Sequence, residues 1–360
     1  MSREPLDRAV LSLIDRGVDA PADDAEFDRL ARAVFAQQYE HDAPYRRLCQ
    51  AQGVGSPEVA SWREIPAVPT GAFKEARLAS FPPERDVRVF RTSGSTTGDR
   101  GALHLDTLEL YERSLLATFG SFVCPDVERI RFAVLAPSDE ETPDSSLAHM
   151  FGHAMRRLGA PGSGFWPQRE SWGDLSCELA NAREPVLVAG AAFAFVHLLD
   201  FMAERGEQLA LPDGSRALET GGFKGRSRVV SREELHGGIA GALGVPRTRI
   251  VNQYGMCELG SQFYEPTLRT GVATAHKRVP PWVRTRVVDP ATLEDVAPGE
   301  RGVLLHVDLA NTGSVLAVLT SDEGRRDPGS PRGDFEVLGR IAGAEARGCS
   351  IAADALLATP

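Results

Sequence analysis

From about residue 87 the chain alternates short runs rich in β-branched residues with longer segments of helical spacing, and this alternation constrains the fold more than any other feature. The runs span residues 87–90, 130–135, 185–188 and 249–251. They are brief, apolar and closed by Gly, Ser or Pro loops, as strands covered on both faces of a sheet should be. The pattern predicts an α/β fold with mixed sheets flanked by helices, and it directs attention to the loops at strand ends, where such folds bind ligands.

The flanks read differently. Before residue 62, apolar residues recur at helical spacing, first Leu6, Val10 and Leu13, then Phe27, Leu30, Val34 and Phe35, which predicts a helical N-terminal region. Asp24 is the expected cap of the second helix. Beyond residue 280 the helical pattern thins. Residues 282–288, 302–309, 314–319 and 335–338 read as strands between Pro/Gly turns, and the charged, Gly- and Pro-rich stretch 322–333 reads as a surface loop. The expected division is a helical region 1–62, an α/β core 63–280, a β-rich subdomain 281–338 and a short tail 339–360.

A 360-residue chain with 42% hydrophobic and 25% charged residues has material for one large core or two subdomains. A net charge of −10 argues against binding nucleic acid or an anionic membrane, because phosphate attraction needs a positive field. Small molecules or proteins are the expected partners. The five cysteines (Cys49, Cys124, Cys177, Cys257, Cys349) form no CxxC pair, so they have neither zinc-site nor disulfide-framework spacing and fit a reducing cytoplasm. A start without an apolar signal segment, and the lack of any long apolar span, give the same cytoplasmic expectation.

The densest local signal follows the run at 87–90: Thr92, Ser93, Gly94, Ser95, Thr96, Thr97 and Gly98, then Asp99, Arg100 and Gly101. Glycines let backbone amides approach an anion, and successive amides with Ser/Thr hydroxyls can cradle phosphate oxygens; the alternative is a plain surface turn. It is not a Walker A loop, since Gly-Lys-Ser/Thr is absent. A second signal, Tyr254-Gly255-Met256-Cys257-Glu258, follows the run at 249–251. Tyr254 could stack on a base and Glu258 could hold Mg²⁺, which prefers hard oxygen donors shared with phosphates; a core tyrosine beside a surface glutamate is the alternative. His149 and His153 stand one helical turn apart and could ligate zinc, but no third ligand is evident, so a helix lining an acyl pocket, with Ser146 and His149 facing it, is preferred. Gly190, Ala191 and Phe193 follow the run at 185–188, where small residues leave room either for substrate or for packing.

Taken together and in this order, the two motifs resemble the phosphate loop and the Tyr-Gly-x-Thr/Ser-Glu motif of the adenylate-forming superfamily, which includes the acyl-CoA synthetases. Gly221-Gly222 lies where that superfamily contacts adenine, Asp322 resembles its ribose-binding aspartate, and Gly339-Arg340 its hinge dipeptide. Closer still, residues 65–70 with Phe73-Lys74, the loop at 92–98, and Gly339-Arg340 through Ser350 resemble the LuxE-type acyl-protein synthetases, the fatty-acid-activating subunits of bacterial luminescence reductase complexes. The likeness covers most of residues 60–355.

The resemblance implies the large-domain architecture of that superfamily without its full small C-terminal domain, so that residues 63–280 bind nucleotide and acyl group. It implies use of ATP and Mg²⁺, the metal on Glu258 and Thr96, to convert a carboxylic acid into its acyl-adenylate. The acyl group then passes to a cysteine, matched by Cys349, and on to a reductase or carrier-protein partner. A thiolate attacks a mixed anhydride well, and Arg340 and Arg347 could favour that thiolate. Three departures stand out. Asp99-Arg100-Gly101 replaces the family's Pro-Lys-Gly, so Arg100 is the expected substitute for the phosphate lysine. Cys257 stands where Thr or Ser is usual, and the chain stops about twenty residues after Gly339-Arg340, which favours a protein acceptor. The rival readings are a ligase that acylates CoA, an amine or a carrier protein, and an inactive binding subunit of a reductase complex.

Overall fold

The computed structural model describes residues 3–92, 100–222 and 227–341. Helices α1 (Glu4–Asp15), α2 (Asp24–His41) and α3 (Ala43–Ala51) open the chain and bury the expected stripes, Val10 and Leu13 on the first, Phe27, Leu30, Val34 and Phe35 on the second. The cap of α2 is Asp23 rather than Asp24: its extended backbone lets Oδ1 accept from the Glu26 amide at 2.9 Å. Asp24 is the first helical residue, and its carboxylate pairs with Arg284 at 2.8 Å.

Next come β1 (Val68–Pro69), the short α4 (Ala72–Glu75), β2 (Arg88–Arg91), β3 (Ala102–Leu105) and α5 (Glu109–Val123). A run of strand–helix units follows: β4 (Arg131–Leu135), α6 (Ser146–Leu158), β5 (Gly164–Phe165), α7 (Trp172–Ala180), β6 (Val186–Ala191), α8 (Ala192–Glu204), β7 (Arg216–Thr220), α9 (Arg232–Leu243) and β8 (Ile250–Tyr254). The chain continues through β9 (Phe263–Tyr264), α10 (Thr267–Thr270), β10 (His276–Lys277), β11 (Val283–Val288), β12 (Arg301–Asp308), β13 (Ala317–Arg326) and β14 (Phe335–Arg340).

The first sheet has the order β5-β4-β6-β7-β8-β9 and is parallel except for the β8–β9 pair. Its strands β4 and β6 are almost wholly apolar because both faces are covered, whereas β7 and β8 also carry Arg216, Glu219, Asn252 and Gln253. Phe132, Val134, Leu187, Ala189, Leu218 and Val251 pack into the cluster that holds Phe119 and Phe151 of α5 and α6. The intervening Ala133, Leu135, Val186, Val188, Ala217 and Ile250 pack with Trp172, Phe195 and Ile239 of α7, α8 and α9. The two-residue period of a strand thus divides one apolar run between two cores.

The second sheet, β10-β14-β13-β12-β11, is antiparallel, with β1 added in parallel beside β13. It corrects one expectation. The charged stretch from residue 322 is strand as far as Arg326, and its charges pair across the ladder, Arg325 donating to Glu336 at 2.5 Å. The turn is confined to the following residues, closed by the Asp327 amide on the Asp334 carbonyl at 2.7 Å. The sheets meet where the Tyr254 ring packs against Phe263, His306 and Phe335, with centroids 6.0, 5.8 and 5.5 Å away. Trp282 ties the same junction to α5, its indole Nε1 donating to Ser114 and Ser261, both at 3.0 Å. Among the described residues no helix is long and apolar enough to cross a membrane.

Candidate active site

Three neighbouring parallel strands end side by side, and each ends in a stretch singled out from sequence. Ala191 of β6 pairs with Thr220 of β7, and Thr220 with Gln253 of β8. Gly190-Ala191, Gly221-Gly222 and Tyr254-Gly255 therefore share one carboxyl edge, the position at which open α/β sheets bind ligands. Gly221 leaves β7 with φ +66°, a left-handed turn that glycine adopts without steric cost, and both glycines of the pair are exposed. Gly190 is buried, and a Cβ there would lie 2.9 Å from Leu135 Cβ, so its small size serves the packing of β6 on β4. Ala191 is buried as well, and Phe193 on α8 is partly exposed.

The loop that carries Ser93, Gly94, Ser95, Thr96, Thr97 and Gly98 lies outside the described residues, but its base is defined. Strands β2 and β3 form a two-stranded hairpin in register from Arg88↔Leu105 to Arg91↔Ala102. Thr92 and Gly101 extend it, the Thr92 amide donating to the Gly101 carbonyl and the Gly101 amide to Thr92 Oγ1, each at 2.9 Å. Arg100 closes the base: Nε donates to the Thr92 carbonyl at 2.6 Å, Nη2 to the Arg91 carbonyl at 3.3 Å and Nη1 to Asp144 Oδ2 at 2.6 Å. Its guanidinium is thus engaged by the chain itself. Asp144, with no sequence pattern to announce it, also accepts the Arg91 amide on its carbonyl at 2.8 Å.

The hairpin abuts the Tyr254–Glu258 turn. The Leu103 amide of β3 lies against the Cys257 sulfur, and Arg100 and Asp144 act on that thiol electrostatically. Burial pushes the Cys257 thiol far up, so it is neutral and serves as a small apolar group there. The Glu258 carboxyl is 6% exposed and pushed up to about 7, chiefly by burial, against its own backbone amide and the positive charge of Arg340. Asp322 raises it further and Lys74 of α4 draws it down.

Asp322, on β13 of the second sheet, completes the group. Tyr254 Oη donates to its Oδ2 at 2.7 Å, and Arg340 Nε, opposite it on β14, lies 3.4 Å from Oδ1. Residues 68 positions apart are therefore joined across the junction of the two sheets. A buried carboxyl held near neutrality accepts a divalent cation readily, because the cation favours the ionised form that burial opposes; Glu258 fits a hard-ion ligand in this respect.

Ser146 and His149 start α6, whose cap is Ser145. The Ser146 carbonyl accepts from Tyr111 Oη at 3.3 Å. His149 is 3% exposed, packed on Phe90 and Tyr111, with Nε2 3.1 Å from Glu112 Oε1, so its imidazole is enclosed by protein. Cys49, Cys124, Cys177 and Cys257 are free thiols, while Cys349 lies outside the described residues.

The two-sheet architecture with its shared edge is the large-domain fold of the adenylate-forming ligases. A 2-hydroxyisobutyryl-CoA ligase solved in the postadenylation state with 2-HIB-AMP superposes with a TM-score of 0.62 at 15% identity, over 88% of this chain and 68% of that one. The same ligase with R3-HIB-AMP gives 0.66 at 15% identity, over 91% and 69%. Within that class the chain belongs to the acyl-protein synthetase, LuxE family, whose model matches residues 174–357. It is accordingly an acid–thiol ligase by family. Two relatives, each named long-chain-fatty-acid–luciferin-component ligase, come from Aliivibrio fischeri and Vibrio harveyi. Both are 24% identical over 90% of this chain and 86% of their own lengths.

Proposed function

We propose that this enzyme joins a long-chain fatty acid to the adenylate of ATP and then moves the acyl group to a cysteine thiol, Cys349 first, for delivery to a reductase partner. The fatty acid and the partner are suggested by the names of the relatives. The observation that carries the reading is the Tyr254–Asp322 bond at the shared strand edge, which brings a base-stacking ring and a ribose-binding carboxylate together from two sheets.

In the first step a carboxylate oxygen attacks the α-phosphorus and pyrophosphate leaves. Tyr254 and the Gly221-Gly222 backbone orient the base, and Asp322 accepts from the ribose hydroxyls. Thr92 and the hydroxyls and amides of residues 93–98 hold the phosphates. Arg100, engaged with Asp144 and two carbonyls, holds the ends of that loop together and contributes its charge from the base. Mg²⁺, with Glu258 and Thr96 as ligands, would neutralise phosphate charge. In the second step the Cys349 thiolate attacks the acyl carbon of the mixed anhydride, the C–O bond to phosphate breaks and AMP departs. Arg340, exposed beside Asp322, is placed at the end of β14 from which the segment carrying Cys349 continues.

Incubation of the protein with ATP and radiolabelled long-chain acid tests the second step. The wild type is expected to retain label that neutral hydroxylamine releases, and Cys349→Ala to lose it while keeping acid-dependent pyrophosphate exchange. Equal labelling of the variant, or label that moves only to added CoA, would overturn the cysteine route.

A further inference from the structure

Helix α6 presents His149 and His153 on one face, and the structure supplies the third donor that their spacing lacks. Glu112, on the adjacent α5, places Oε1 3.1 Å from His149 Nε2 and 3.1 Å from His153 Nδ1. The three donor atoms all lie within 4.8 Å of one another. For zinc bonded to N and O at about 2.0–2.1 Å, the edge of the coordination tetrahedron is about 3.3 Å, close to the two separations observed. The imidazoles stack with centroids 6.0 Å apart and planes 24° apart, so the helix already holds them nearly parallel.

One further feature favours a cation here. His149 Nδ1 is enclosed with no hydrogen-bond partner, and the rings packed on this imidazole are Phe90 and Tyr111. A metal on Nε2 would leave Nδ1 as the protonated nitrogen, the form that suits an aromatic surround better than a bare lone pair.

We infer that Glu112, His149 and His153 form a binding site for a divalent transition metal of the zinc class, with two imidazole ligands and one carboxylate. His153 and Glu112 are partly exposed, so one side of the cluster is open to an entering ion and to a water as fourth ligand. The metal would brace α5 against α6 behind Phe90, the buried residue of β2 that precedes Arg91 and Thr92 at the base of the loop.

The untagged full chain, stripped with a chelator and desalted, is titrated with Zn²⁺ and separately with Co²⁺. One equivalent of Zn²⁺ is expected to survive desalting and raise the melting temperature, and Co²⁺ to give the intense visible bands of a tetrahedral site. Glu112→Gln retains the hydrogen-bonding capacity between the helices, and His153→Ala removes a partly exposed ring. Both are expected to stay folded and to lose the stoichiometric metal and the cobalt bands. A wild type that binds neither ion, whose melting is the same with chelator as with zinc, contains only a hydrogen-bonded Glu–His–His cluster and contradicts the site. Variants that bind as the wild type does would place the metal elsewhere and contradict it equally.

Discussion

The Tyr254 hydroxyl and Asp322 meet at 2.7 Å, and each also has neighbours that fix its position: Tyr254 the rings of Phe263, His306 and Phe335, Asp322 the Thr320 hydroxyl, which accepts its amide at 3.0 Å. Replacing Tyr254 by Phe keeps a ring that can stack and removes only the bond. A hydrogen bond to an ionised acceptor contributes about 1.5–3 kcal/mol, and about 1.4 kcal/mol corresponds to tenfold in affinity. Tyr254→Phe is therefore expected to raise the KM for ATP about tenfold in acid-dependent pyrophosphate exchange, with a much smaller change in kcat. An unchanged KM would show that the Asp322 carboxylate is positioned without the tyrosine. These two residues were legible in sequence because each sits in a short recognisable motif. Glu112 and Asp144 were not: they lie 37 and 44 positions from the His149 and Arg100 they engage, and no local pattern connects them.

At the scale of elements, β4, β6 and β8 of the parallel sheet were legible to within a few residues, because covering both faces leaves short apolar runs, whereas β7, interrupted by Arg216 and Glu219, gave no such run and was missed. The helical stripes of α1 and α2 were legible for the analogous reason. The second sheet was read less well where polar residues form strand. β13 runs on to Arg326 because its charges pair with those of β14, a stabilisation that composition alone presents as loop. Element ends carry their own chemistry. Asp42 closes α2 and caps α3, its Oδ1 accepting the Tyr45 amide at 3.0 Å while Oδ2 is enclosed without a partner. Burial pushes this carboxyl up to about 7 from an ordinary 3.8. The native state thus keeps the proton that the unfolded chain gives up first, so this residue makes stability fall as pH rises from about 4 to about 7, and then level off. Asp42→Asn keeps the cap and removes the ionisation. Urea denaturation is expected to show a flatter pH profile for the variant across that window, and a parallel profile would exclude Asp42 as its source.

The whole molecule places the candidate edge between two sheets that share a core. The parallel sheet contributes strand ends, the hairpin β2–β3 contributes the base of the loop, and the antiparallel sheet contributes Asp322 and Arg340. The order of the motifs along the chain suggested the resemblance to the adenylate-forming superfamily, but the joining of Tyr254 to Asp322 across two sheets was not legible in it. The central claim is that the edge forms an acyl-adenylate. Acid-dependent exchange of labelled pyrophosphate into ATP, run on the full chain over fatty, aromatic and amino acids, tests it most directly. Exchange that requires a long-chain acid and is abolished or strongly reduced in Glu258→Ala is the expected result, whereas a folded wild type without exchange for any acid would contradict the account.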